Sequence, residues 1–232
     1  MNPTIISIIL PSYNERENLI RLIPSLRTTI RRRNQGSAEI IVVDDNSPDG
    51  TATALRQKFG NSIKLVVRKN ERGLATAILR GINEATGTVI VGMDADGNHD
   101  PRSMPSLLDG LRTADLVVGS RFVAGGSMND PIRYVTSRWF NRWLSHIGFP
   151  VLDATSGYYA VRKSALAKLP LTTIYRGYGE YHMRLVWYAK KCGLRIAEIP
   201  VRYGNRRYGQ SKSRFLIMLG TYTKTALRLV RQ

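Results

Sequence analysis

The sequence predicts an α/β fold built on a mostly parallel sheet, and three observations predict it. Short β-branched runs alternate with amphipathic stretches through the first hundred residues. The runs are nearly continuous in apolar residues rather than alternating, as in strands covered on both faces. Polar clusters stand just after three of these runs, where open α/β sheets bind their ligands.

Residues 5–10 form the first strand, ended by Pro11. A helix is predicted over 14–30, with Asn14 as its N-cap. Residues 39–43 are a second buried strand, after which Asp49 or Thr51 opens a helix that runs to Phe59. A third strand over 63–67, a helix over 74–85 and a fourth strand over 88–93 complete the rhythm. Such a β-α-β-α order gives parallel strands with helices on both faces. The second half is less regular: a strand over 115–118, a Gly-rich loop at 124–128, an Arg- and Trp-rich helix over 134–147, and a loop around Asp153 to Gly157. A helix over 179–191, a strand over 195–201 and a last helix over 213–231 follow. No internal repeat or low-complexity linker divides the chain, so one domain over 1–232 is expected.

Tyr13, Asn14 and Glu15 follow the first strand, Asp44, Asp45 and Asn46 the second, and Asp94 and Asp96 the fourth. Extended backbone points the two carboxylates of Asp94-Ala95-Asp96 to one side. Two hard oxygen ligands there suit Mg²⁺ or Mn²⁺, which retain waters and bridge substrate phosphates. Asp is also common in turns, so it is the shared position of the three clusters that favours a site.

Composition narrows the partners. The chain has 35 Lys and Arg against 17 Asp and Glu, a net charge of +18. Such an excess points to an anionic partner: nucleic acid, phosphate-bearing substrates or a membrane surface. Arg133, Arg138 and Arg142 form one basic group, and Arg202, Arg206, Arg207, Lys212 and Arg214 another. No recognised nucleic-acid module accompanies them, so nucleic acid is not expected. Cys192 is the sole cysteine, which excludes an intrachain disulfide and favours a reducing, cytoplasmic setting. Residues 1–10 lack the basic start of a signal peptide. No uncharged apolar run reaches 18 residues, so no membrane-spanning helix is predicted.

Two helices are amphipathic. Over 135–147, a helical wheel puts Trp139, Phe140, Trp143, Leu144 and Ile147 on one face, opposite Arg138, Arg142 and His146. Over 215–231, it puts Phe215, Met218, Leu219, Tyr222, Ala226, Leu229 and Val230 opposite Lys224, Arg228 and Arg231. Such faces either pack on the protein's own core or lie on an anionic membrane.

The segments Leu10-Pro-Ser-Tyr-Asn-Glu-Arg-Glu-Asn18, Val43-Asp-Asp-Asn-Ser-Pro-Asp-Gly-Thr51, Gly73-Leu74 with Gly81, Met93-Asp-Ala-Asp96, Gly119-Ser-Arg121, Ser156-Gly157 and Arg207-Tyr-Gly-Gln-Ser-Lys212 run through nearly the whole chain. Together they resemble the family 2 glycosyltransferases, and within them the dolichyl-phosphate mannose synthase group. The resemblance implies a GT-A nucleotide-diphospho-sugar transferase fold and an inverting, metal-dependent transfer of a sugar, foremost mannose from GDP-mannose, to a polyprenyl or dolichyl phosphate. It divides the chain into a nucleotide-sugar-binding half (1–98), an acceptor-binding half (99–212) and a C-terminal amphipathic helix (213–232). Pro11, Tyr13, Glu15, Val43 and Asp45 would line the base and ribose, with Asp94 at the donor. Asp94, Asp96 and Asn98 would hold the metal. Arg121 would contact the donor diphosphate or the acceptor phosphate. Arg133, Ser137, Arg206 and Lys212 would meet the acceptor phosphate. Catalysis would rest on Asp96, Arg121 and Arg206, and on Glu180 where a base is required. The enzyme would lie peripherally at the cytoplasmic face of a membrane, with room for a separate membrane-anchoring subunit.

Two residues depart from the family's pattern. Tyr159 stands where many relatives carry Arg, and residues 177–183 lack an acid that the eukaryotic synthases place later. Glu180, His182 and Asp153 are therefore the base candidates if the acceptor is a hydroxyl, which needs deprotonation. The alternatives are another nucleotide sugar such as UDP-glucose, a hydroxyl acceptor, or a non-catalytic scaffold at a membrane.

Overall fold

The computed structural model describes residues 6–33, 38–205, 208 and 215–232. The elements run β1 (Ile6–Ser12), α1 (Arg16–Arg33), β2 (Ala38–Asp44), α2 (Thr51–Phe59), β3 (Lys64–Val67), α3 (Leu74–Glu84), β4 (Val89–Gly92), α4 (Met104–Gly110), β5 (Leu116–Ser120), β6 (Ser127–Met128) and α5 (Pro131–His146). They continue as β7 (Tyr159–Arg162), α6 (Lys163–Leu166), α7 (Leu171–Ile174), α8 (Tyr181–Lys191), β8 (Ile196–Pro200), β9 (Arg202–Tyr203) and α9 (Phe215–Val230).

A seven-stranded sheet in the order β3-β2-β1-β4-β7-β5-β8 carries the fold. The first four strands are parallel, as their unbroken apolar runs predict. Successive residues of β1 and β2 feed opposite faces. Ile9, Ile41 and Val43 join the core under α3 and α8, whereas Ile8, Leu10, Ile40 and Val42 join the one under α1, α2 and α4. Gly81 lets α3 lie close against β1: a Cβ there would stand 2.5 Å from the Ile9 side chain.

Three local expectations are corrected. Asn14 does not cap α1. It sits at φ 55°, with its N–H donated to Ser47 Oγ at 2.9 Å, and Glu15 supplies the first helical carbonyl, to Leu19 N. The strand β7 was missed because its four residues lack turn signals. It enters antiparallel between β4 and β5, and Tyr159 packs over Gly92, where a Cβ would stand 2.8 Å from the Tyr159 hydroxyl. Ala95 and Asp96 lie in a turn followed by Gly97 at φ 83°, so Asp94-Ala95-Asp96 does not continue the strand.

The amphipathic faces are also reassigned. Leu144 is buried, and Phe140, Trp143 and Ile147 pack against the core. Tyr222, Ala226 and Leu229 of α9 are buried there too. The apolar side chains that α5 leaves in solvent are Ile132 (76% exposed), Val135 (51%) and Trp139 (69%), with exposed Arg138 and Arg142 on the same helix. Among the described residues, no helix is long and apolar enough to cross a membrane.

Candidate active site

The carboxyl ends of β1, β2 and β4 open into a cavity of about 740 Å³, closed on its far side by α5 and α9. Pro11, Tyr13, Glu15 and Asp45 line one end, Asp94, Asp96, Asn98 and Arg121 the middle, and Arg133 and Ser137 the α5 wall. Ten of the residues expected from the sequence thus face one space. Val43 does not: it is fully buried in β2, directed into the core. Arg206 and Lys212 lie outside the described residues.

The end of the cavity at Tyr13, Glu15 and Asp45 is held by a buried ion pair and hydrogen bonds. Asp45 Oδ1 accepts from Arg68 Nε at 2.7 Å and Oδ2 from Gly73 N at 2.8 Å. This buried, doubly tethered carboxylate retains lone pairs for a further donor. Tyr13 carries the Arg72 guanidinium 3.5 Å from its ring centroid, so one face of the expected base platform is a cation–π stack. Glu15 Oε2 accepts from Asn18 Nδ2 at 2.7 Å.

At the centre, Asp94 keeps 38% of its side chain exposed. Asp96 accepts twice from Asn98, through the main-chain N–H at 3.0 Å and through Nδ2 at 2.8 Å. Asn98 therefore orients Asp96 and retains its amide oxygen. Among the described residues, no group of three or more His, Cys, Asp or Glu side chains is arranged to hold a metal. Two carboxylates and an amide facing an open cavity fit a hard cation that draws its remaining ligands from phosphate and water.

Arg121 is set by a buried ion pair. Its main-chain N–H and Nε both donate to Asp153 Oδ2, at 3.0 and 2.8 Å, and Nη2 donates to Asp153 Oδ1 at 2.7 Å. Nη2 also donates to Thr155 Oγ1 at 2.9 Å. Burial alone would lower its pKa, but the Asp153 carboxylate more than offsets this and raises it. The cation rests 4.8 Å from the Tyr203 ring centroid. Among the described residues Nη1 has no hydrogen-bond partner, which leaves two donors for a ligand in the cavity. Thr155 Oγ1 accepts as well from Asn141 Nδ2 on α5 at 2.8 Å, so Arg121 and the α5 wall share one polar network.

The base candidates turn away from this space. Glu180 accepts from Tyr178 N at 3.1 Å and faces Arg184 Nη2 at 3.5 Å, and it does not line the cavity. Asp153 is fully buried under Arg121. His182 bonds the Ala154 carbonyl through Nδ1 at 2.9 Å, and burial pulls its pKa down to about 4, so it is neutral at pH 7.

Residues 7–169 match the profile of glycosyl transferase family 2. The chain is 36% identical over 216 residues to an undecaprenyl-phosphate mannosyltransferase of Micrococcus luteus, covering 88% of this chain and 85% of that protein. The chain belongs to glycosyl transferase family 2. This family 2 glycosyltransferase is also 35% identical to a dolichol-phosphate mannosyltransferase of Pyrococcus furiosus, over 89% of this chain and 58% of that one. Its fold is GT-A. A crystal structure of glucosyl-3-phosphoglycerate synthase from Mycobacterium tuberculosis, in complex with Mn²⁺, uridine diphosphate and glucosyl-3-phosphoglycerate, superposes with a TM-score of 0.76. That match covers 98% of this chain and 80% of the other, at 22% identity.

Sequence reasoning missed three residues in or behind this cavity. Arg72 precedes the Gly73-Leu74 segment, and that neighbourhood was the signal available. Asp130 lines the cavity and caps α5, its Oδ1 accepting from Arg133 N at 3.0 Å; a signal existed, since Asp before Pro131 is a helix start. His99, buried behind Asp94, gave no signal beyond its adjacency to Asn98.

Proposed function

We propose that this family 2 enzyme transfers mannose from GDP-mannose to the phosphate of a polyprenyl or dolichyl phosphate, with inversion and with Mg²⁺ or Mn²⁺. The observation that carries this reading is the cavity's lining: the carboxylates of Asp94 and Asp96 share one space with Arg121, Arg133 and Ser137. The names of the relatives support mannose and a polyprenyl phosphate, and the Mn²⁺ and uridine diphosphate of the structural neighbour support a metal-bound donor in this fold.

The chemistry follows from the acceptor. A phosphate monoester has a second pKa of about 6 and is anionic at pH 7, so it needs no general base. Arg133 and Ser137 hold it by charge and hydrogen bond. Its oxygen attacks the anomeric carbon as the bond to the nucleoside diphosphate breaks on the opposite face, which inverts the configuration. Arg121 Nη1 donates to the phosphate oxygens between donor and acceptor, where negative charge accumulates. Asp94, Asp96 and the Asn98 amide oxygen would hold a divalent cation, which would supply neutralisation of the charge on the leaving diphosphate. Asp45 accepts from ribose hydroxyls, and Tyr13 offers a flat wall to the base.

Transfer from GDP-[¹⁴C]mannose to a short polyprenyl phosphate with Mn²⁺ tests the reading. A protein inert with GDP- and UDP-sugars alike, beside an active relative, would overturn it. Glu180→Gln separates the acceptor classes. With a phosphate acceptor, kcat stays within about tenfold of the parent; loss of the roughly 10²–10⁴-fold owed to a general base would favour a hydroxyl acceptor. Asp130→Asn is the matching control, because Asp130 is a carboxylate on the acceptor side.

A lipid acceptor requires contact with its membrane, and Ile132, Val135 and Trp139 beside Arg138 and Arg142 support that contact at α5. The protein is expected to float with vesicles containing phosphatidylglycerol, less so at high salt. Trp139→Ala should weaken partitioning about tenfold or more, because burying a large apolar side chain contributes about 1.5–3 kcal/mol. Equal flotation of parent and variant would remove Trp139 from the contact.

A further inference from the structure

Asp94 has a buried neighbour that this mechanism does not use. His99 ends the turn that Asp94 begins, and none of it reaches the surface. Its ring stacks on Tyr158 at 4.9 Å between centroids and 8° between planes, and meets the edge of Tyr203 at 4.7 Å. The surrounding backbone is fixed as well: His99 bridges Tyr203, and Gly204 N donates to the Asn98 carbonyl at 2.9 Å.

His99 Nδ1 accepts the Asp94 N–H at 3.0 Å, which closes the turn on itself. A neutral imidazole that accepts at Nδ1 carries its proton at Nε2. Among the described residues that buried Nε2–H has no hydrogen-bond partner. It lies 3.7 Å from Asp94 Oδ2, with the Ser156 backbone its other polar neighbour. An unpaired buried donor is unfavourable, and a small rotation of the Asp94 carboxylate would pair it.

We propose that His99 is the positioning residue of Asp94: Nδ1 fixes its main chain, and Nε2–H fixes which carboxylate oxygen turns toward the cation. This rests on Asp94 and Asp96 forming the cation site. Outer partners of metal ligands are worth about 10–100-fold in metal affinity.

Three variants of the whole chain test it. His99→Phe keeps a stacking ring and removes both nitrogens, His99→Asn keeps an acceptor near Nδ1, and His99→Gln reaches toward Nε2. Mn²⁺ binding is read from the electron paramagnetic resonance of free Mn²⁺, with GDP or UDP present. Metal-free nucleotide binding and Tm are measured alongside. His99→Phe should bind Mn²⁺ about 10–100-fold more weakly, with metal-free nucleotide binding unchanged and the other two variants in between. Should His99→Phe fail to fold, His99→Asn and His99→Gln still decide the matter. Mn²⁺ affinity within about twofold of the parent in the folded variants, or a parallel loss of metal-free nucleotide binding, overturns the role of His99. A parent that takes up no Mn²⁺ with either nucleotide overturns the cation site itself, and the role of His99 with it.

Discussion

Asp96→Ala is expected to abolish sugar transfer, with kcat lowered about 10³-fold or more, and to remove the Mn²⁺-dependent part of nucleoside diphosphate binding. Two effects combine in that variant. One charged oxygen ligand disappears beside a leaving group whose negative charge grows as the bond breaks. The turn also loses the acceptor that holds the Asn98 main chain and amide. Asp96→Asn separates the two effects. It keeps a side-chain oxygen that can accept the Asn98 N–H, as Asn does in such turns, but it carries no charge. If charge is what matters, Asp96→Asn falls nearly as far as Asp96→Ala, while both keep metal-free nucleotide binding at Asp45 and Tyr13. Isothermal titration with GDP, with and without Mn²⁺, reads this directly. A fully active Asp96→Ala enzyme would remove the cation from the mechanism.

The first hundred residues were legible because their signals are local. Short, nearly continuous apolar runs at residues 5–10 and 39–43, rich in Ile and Val, fit strands buried on both faces, and the polar clusters behind them fall where parallel strands end. What escaped was decided by tertiary neighbours. Val43 stood beside Asp44 and Asp45 in sequence, yet strand alternation sends its side chain into the core. The helical wheel identified the apolar residues of α5 and α9 but not what covers them. Phe140 turned out to be packed against Trp143 and against Tyr222 of α9, and Trp139 exposed. His99 and Arg72 owe their places to a turn and a loop that no periodicity encodes. Asp153 was read as a base candidate in a loop; the guanidinium that claims it lies 32 residues away.

That claim makes Asp153 a fragile point of the cavity wall. Both partners of the pair are buried, with 7% of the Arg121 side chain and 0% of the Asp153 side chain exposed. Removing one partner leaves a charge without compensation in a poorly solvated place, which costs about 3–5 kcal/mol. For a chain of this size Asp153→Ala should therefore lower Tm by roughly 10 °C or more, and transfer should fall with it, since Arg121 loses the contacts that aim Nη1 into the cavity. Asp153→Asn should do little better: its amide nitrogen would face an Arg121 N–H, donor against donor. Stability and catalysis can be told apart by removing both charges. Arg121→Met combined with Asp153→Leu replaces a buried ion pair by apolar side chains, a change that is often neutral or stabilising. The double variant should recover most of the lost Tm and remain inactive. Recovery of both would mean that the pair only holds the loop at 153–157 in place. Recovery of Tm alone would assign Arg121 to the reacting phosphates and explain why an expensive buried charge is retained beside an open cavity.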